Sequence, residues 1–212
     1  MKFKITKFVH SCLLVETPDR VALFDPGVMS EDALNIDELS HLDDIFITHI
    51  HPDHMSLDLI NELVDRFPGV RITSTPEVVD KLESQSIKAS DQAPQGVAFF
   101  DSPHEHKPPM MPVGPQQIGI HYLDALSDPG DSHSFKETKP ILALPVTAPW
   151  GTSLEAIALA YQLKPQYVLP IHDWHWRDEA REQMYDRFEQ ILGQEGIKFF
   201  KLKTGQPVEI TL

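Results

Sequence analysis

Apolar and polar residues follow two rhythms along this chain, and the switches between them mark its elements. Residues 2–8, Lys-Phe-Lys-Ile-Thr-Lys-Phe, alternate with a period of two, as a half-exposed strand does. A second strand is predicted over His10–Glu16 and a third over Val21–Phe24, with a turn at Thr17–Arg20. Residues 30–42 read as a short helix and a loop. From there strand and helix alternate. A buried strand is predicted over 44–48, and apolar residues at helical spacing follow over 56–66. Val70–Thr73 predicts a short strand. Thr75-Pro76-Glu77 supplies a cap and a first-turn proline for a helix reaching about Gln85. Gly96–Phe100 reads as a strand, and 117–123 with 125–127 as a hairpin pair. The second half closes with a buried strand over Ile141–Val146, a helix over Ser153–Leu163 and a strand over Tyr167–Ile171. An amphipathic helix over 177–193 and short strands at 197–202 and 207–211 follow. The pattern is that of an α/β protein.

One strand-to-helix junction carries most of the chemistry. Residues 48–54 read Thr-His-Ile-His-Pro-Asp-His, between the apolar run Ile45-Phe46-Ile47 and the helical pattern that starts at Ser56. In extended backbone His49 and His51 project to the same side. Pro52 fixes its own φ and pushes His51 toward an extended conformation. Asp53 and His54 then fall in the turn before the helix, facing a second point nearby. The chain holds 11 histidines in 212 residues, so three within six residues, with an aspartate among them, are a poor fit to chance. Imidazole and carboxylate suit zinc and similar divalent ions, and this spacing is what two adjacent ions need.

His49-x-His51-x-Asp53-His54 resembles the HxHxDH signature of the metallo-β-lactamase superfamily, in that family's strand-to-helix context. Further stretches, in the family's order, resemble its other motifs. Asp25-Pro26-Gly27 ends a strand as the first motif does, and there the Asp orients a ligand rather than binding metal. His10 sits at a similar strand end and is expected near the site without being a ligand. His104, with Glu105 after it, stands where the third ligand of the first metal is expected, with His106 as the alternative. Gly130-Asp131-Ser132 resembles the motif whose Asp bridges two metals. His172 ends the last core strand, the family's final ligand position, with His175 the weaker candidate.

The resemblance implies a four-layer αββα sandwich formed as a single domain over 1–212. It implies a first metal on His49, His51 and His104, a second on Asp53, His54 and His172, and Asp131 between them. Asp53 is also expected to accept or pass a proton in catalysis. The implied cofactor is two divalent metal ions, zinc first, with manganese and iron as the other candidates. The implied activity is that of a metal-dependent hydrolase using a shared hydroxide on a small ester, lactone or phosphodiester, similar to the stand-alone branch around L-ascorbate-6-phosphate lactonase. The rivals are an iron-dependent redox enzyme of the same fold and a non-catalytic metal-binding protein. Pocket walls are expected from loops 107–115, 147–152 and 173–178. Trp150 is a candidate lining residue, Trp174 and Trp176 are lining or packing, and His121 and His133 are not ligands.

Composition narrows the partners. A net charge of −14 and a pI near 5.1 argue against binding nucleic acid through its backbone. The expected partner is a small-molecule substrate, with no nucleic acid and no membrane; self-association is left open. The single cysteine, Cys12, lies in an apolar run and reads as a buried, inert thiol. The N-terminus lacks a signal peptide's apolar core and no run approaches membrane-spanning length, so a cytoplasmic location is expected.

Overall fold

The computed structural model describes residues 1–106, 109 and 112–212. The chain forms two compact units. The first comprises Met1–Pro94, Pro115–Gln117 and Lys203–Leu212, and the second Gln95–Gly114 and Ile118–Leu202.

The first unit is built on a mixed six-stranded sheet. Its strands are β1 (Lys2–Lys7), β2 (Leu13–Glu16), β3 (Val21–Phe24), β4 (Asp44–Phe46), β5 (Arg71–Thr73) and the C-terminal strand Pro207–Thr211. The C-terminal strand, β1, β2 and β3 pair antiparallel in that order, and β3, β4 and β5 pair parallel. Parallel pairing needs crossovers. Helix α1 (Leu57–Arg66) supplies the one between β4 and β5, capped by Ser56, whose hydroxyl accepts the Leu59 N–H. Helix α2 (Pro76–Glu83) is capped by Thr75 with the expected proline in its first turn. Leu59, Ile60 and Leu63 of α1 and Val78 and Leu82 of α2 share a core with Leu14, Leu23, Ile45 and Ile72 of the sheet.

The second unit is a mixed six-stranded sheet of β6 (Val97–Phe100), β7 (Gly119–Tyr122), β8 (Leu126–Asp128), β9 (Ile141–Pro145), β10 (Tyr167–Ile171) and β11 (Lys198–Phe199), in spatial order 11-10-9-8-7-6. β6, β7 and β8 pair antiparallel and β8 to β11 parallel, so β6, β8, β9 and β10 all run one way. Their four C-terminal ends therefore lie along one edge. Helix α3 (Ser153–Leu163) and helix α4 (Asp178–Gly193) share a core with β9, β10 and β11 through Ala156, Ala160, Phe188 and Leu192. Ile141–Pro145 is buried at every position, which explains its unbroken apolar run: it is covered on both faces.

Three sequence expectations change. The strand predicted from His10 begins only at Leu13, because His10 has φ +64° and cannot extend the strand. Residues 30–42 hold no α-helix; two short 3-10 turns, Val28–Ser30 and Ile36–Glu38, occupy that region. The strand predicted over 197–202 pairs only at Lys198–Phe199. The proline-rich loop 107–115 was expected to line the pocket; Lys107, Pro108, Met110 and Met111 lie outside the described residues.

Candidate metal centre

In the first unit, β3 and β4 run parallel, so Asp25, just past β3, and Thr48–His54, just past β4, leave the sheet at the same edge. β2 runs antiparallel to β3 with Leu13 opposite Phe24, which brings the turn before β2, and His10 on it, to that edge as well. The loops are tied together by backbone: Val28 N–H donates to Pro52 O at 2.8 Å, and Ser56 N–H to Pro26 O at 2.8 Å.

Asp25 is the hub. It is fully buried and accepts three hydrogen bonds: from Thr48 N–H at 2.7 Å, from the Thr48 hydroxyl at 2.8 Å and from His54 Nδ1 at 2.6 Å. The consequences for the ligands follow from donor arithmetic. A carboxylate only accepts, so His54 carries its proton on Nδ1 and presents the Nε2 lone pair. The Thr48 hydroxyl spends its one proton on Asp25, so at 3.0 Å it accepts from His49 Nδ1, and His49 likewise presents Nε2. The expectation that Asp25 orients a ligand matches this geometry. His10 is fully buried with Nε2 3.1 Å from Asp53 Oδ2, and Asp53 Oδ2 is 3.9 Å from His54 Nε2. The His49 and His51 rings meet edge to face at 4.7 Å between centroids.

In the second unit, His104, Asp131 and His172 follow β6, β8 and β10 at the shared edge, and all three are buried. His172 Nδ1 is 2.9 Å from the Thr147 carbonyl, to which it donates, so it too presents Nε2, 3.1 Å from Asp131 Oδ1. His104 Nε2 is 3.7 Å from Asp131 Oδ2. Trp150 Nε1–H donates to Asp131 Oδ2 at 3.2 Å, which places this indole beside the candidate ligands. The chain after His172 is anchored by Asp173, which accepts from the Tyr185 hydroxyl and pairs with Arg181 Nε at 3.1 Å. Burial and the Asp173 carboxylate raise the Tyr185 phenol well above its ordinary value, so it stays a donor.

The rival candidates separate by position. His106 and His175 are exposed, and His106 turns its Nδ1 to the His104 carbonyl at 3.3 Å. His121 is stacked on Phe100 at 4.2 Å and bonded to Ser127, which is packing. His133 Nε2 donates to the Pro145 carbonyl at 2.8 Å, and burial pushes its imidazole below the ordinary value. Trp176 packs against the second core, whereas Trp174 is 48% exposed. Cys12 is buried, and burial is the main reason its thiol is pushed up to about 12. What the sequence reading undervalued was His10 and Thr48. The signal for Thr48 was its place directly before His49; His10 offered none beyond its strand end.

Each donor set fits a divalent metal. Three buried imidazoles have Nδ1 held by an oxygen acceptor, the arrangement that fixes the tautomer of metal-binding histidine. His10, Asp53 and His54 offer donor atoms all within 4.8 Å of one another, as do His49 and His51, and His104 and Asp131.

Residues 4–172 match the family described as the beta-lactamase superfamily domain. A Mycobacterium tuberculosis protein, Rv0786c, is 30% identical over 201 residues, covering 89% of this chain and 92% of its own. A UPF0173 metal-dependent hydrolase of Pyrococcus furiosus is 22% identical, covering 98% and 99%. Among solved structures, Igni18, a metallo hydrolase of Ignicoccus hospitalis, superposes with a TM-score of 0.74 at 20% identity over the whole of both chains. With its two mixed sheets, its helices and its motifs in order, the chain belongs to the metallo-β-lactamase superfamily of metal-dependent hydrolases.

Proposed function

We propose that this protein hydrolyses a small ester, lactone or phosphodiester through a dinuclear metal centre. His49, His51, Asp53 and His54 of the first unit and His104, Asp131 and His172 of the second supply the ligands. The observation that carries this reading is the set of anchored imidazoles: His49, His54 and His172 are each held at Nδ1 by an oxygen, with Nε2 left to bind. The donors suit zinc, and also manganese or iron. Bound ions would acidify a water near neutral pH and polarise the oxygen under attack.

The chain's own residues do the rest. Asp25 and Thr48 lock the tautomers of His54 and His49, so neither imidazole has to reorganise. Asp53 is about a quarter exposed, against the full burial of His54, and can exchange a proton with a substrate. Trp150, by donating to Asp131, fixes the orientation of the carboxylate proposed to bridge. Beside it, Glu105, His133, Ser134, Trp150 and Glu155 line a cavity of about 380 Å³, a size suited to a small molecule. Its carboxylates, hydroxyl and indole suit a substrate rich in hydroxyl groups. Among the described residues no helix is long and apolar enough to cross a membrane. The reading carries a small-molecule substrate and a cytoplasmic setting with it.

The test is elemental analysis of protein purified without added metal, next to His51→Ala, followed by a panel of lactones, carboxylic esters and phosphodiesters. Two ions per chain, fewer in the variant, and metal-dependent turnover on one panel class are expected. One ion or none after reloading would overturn the dinuclear reading, and full loading without turnover on any class would overturn the hydrolytic one.

A further inference from the structure

We infer that His10 is itself a ligand of the second metal, a nitrogen donor additional to Asp53, His54 and His172. This rests on the dinuclear reading above. The first observation is convergence. His10 Nε2 lies 3.1 Å from Asp53 Oδ2, which lies 3.9 Å from His54 Nε2, and the three donors are mutually within 4.8 Å. Two donors about 2.1 Å from one ion sit about 3.0 Å apart at right angles and about 3.4 Å apart at tetrahedral ones. The His10–Asp53 pair has the spacing of one coordination sphere, and the Asp53–His54 pair, at 3.9 Å, fits the same sphere at a wider angle.

The second observation is the proton count. His54 gives its Nδ1 proton to Asp25, so its Nε2 is a lone pair facing the lone pairs of Asp53. Two acceptors turned toward each other in a partly buried place repel unless a cation lies between them. His10 brings a further nitrogen to the same point from a different loop. A histidine that only steadied Asp53 would need no approach to His54, yet the two rings meet edge to face at 5.5 Å.

The third observation is strain. His10 has φ +64°, a conformation costly for a residue with a Cβ. The turn that holds it is pinned from both sides. Phe8 N–H donates to Cys12 O at 2.9 Å, and Ser30 Oγ both accepts from Val9 N–H at 3.2 Å and donates to Val9 O at 3.0 Å. Asp25, with φ +44°, and His172, with φ +64°, share this conformation at the other strand ends that serve the centre. At His10 the pinned turn holds this conformation and so fixes where the imidazole is delivered.

A chemical consequence follows. With His172 and Asp131 of the proposed set, a second ion would have five protein donors on offer, one short of six. Six-fold coordination suits manganese or iron better than zinc, whose protein sites are mostly four-coordinate.

The experiment uses the full chain loaded with manganese. Electron-nuclear spectroscopy of the wild type should count three imidazole nitrogens at each of the two ions; three at one ion and only two at the other would overturn the assignment without any substitution. His10→Gln, checked for folding by its thermal melt, should keep one ion through dialysis against a weak chelator and bind the second at least tenfold more weakly, with one fewer nitrogen in its spectrum. Two ions retained with an unchanged nitrogen count would overturn the role of His10 and leave the dinuclear reading standing. Fewer than two ions in the wild type would overturn both.

Discussion

Gly27 has the loop that carries the candidate ligands directly against it. A Cβ there would lie 1.9 Å from the Asp53 carbonyl oxygen and 2.8 Å from the His54 nitrogen, both backbone atoms that cannot swing away. Gly27→Ala must therefore push the Asp-Pro-Gly turn off the ligand loop. The expected result is a loss of about 1–3 kcal/mol of stability, read from urea unfolding, together with reduced metal content. Asp25 works through other residues. In Asp25→Asn one carboxylate oxygen becomes an NH2, which must face either Thr48 N–H or the Thr48 hydroxyl with His54 Nδ1, so the His54 tautomer is no longer enforced. Chelator competition should show metal affinity about 10–100-fold weaker with the fold intact. Affinity equal to the wild type would remove Asp25 from the centre. Both residues were legible as a strand-Asp-Pro-Gly stop. The reason glycine is needed was not, since it lies in a contact with residue 53.

Helix α3 is the helix whose reading came through unchanged, Ser153–Leu163 in both sequence and structure. Its start is written locally: the Thr152 hydroxyl accepts from Glu155 N–H, and the Glu155 carboxylate accepts from Thr152 N–H, a reciprocal cap. Thr152→Ala should lower stability by about 1 kcal/mol in a thermal melt while leaving metal content unchanged. The cap follows the loop after β9, whose Thr147 carbonyl holds His172 and whose Trp150 holds Asp131. Strand ends were less legible than helix starts. The run His10–Glu16 alternates well enough for a strand, and only the pinned turn before Leu13 shortens it. Neither Ser30, which pins that turn, nor the register opposite β3 is visible within seven residues of sequence.

Metal removal tests the molecule as a whole. A ligand that binds only the folded chain stabilises it by about 2.7 kcal/mol at one hundred times its dissociation constant. Dialysis against a strong chelator should lower the melting temperature, and adding back the metal should restore it. A midpoint indifferent to metal would show that the folded chain holds no ion.

By itself the sequence determined the α/β class, the order of the elements, the net negative charge and the candidate ligand cluster His49, His51, Asp53 and His54. These are legible because periodicity, caps and a four-ligand run within six residues are local, and local chemistry survives without knowledge of partners. The choice of His104 over His106 was different: only burial and the approach to Asp131 separate two histidines two residues apart. The tautomers of His49, His54 and His172 depend on Thr48, Asp25 and Thr147, and the last two stand 29 and 25 positions from the rings they hold. His10 reaches Asp53 across 43 positions because an antiparallel strand begins where its parallel neighbours end. Which edge a loop leaves from is set by strand direction and pairing. Only the folded sheet decides which distant side chains share a proton or a metal.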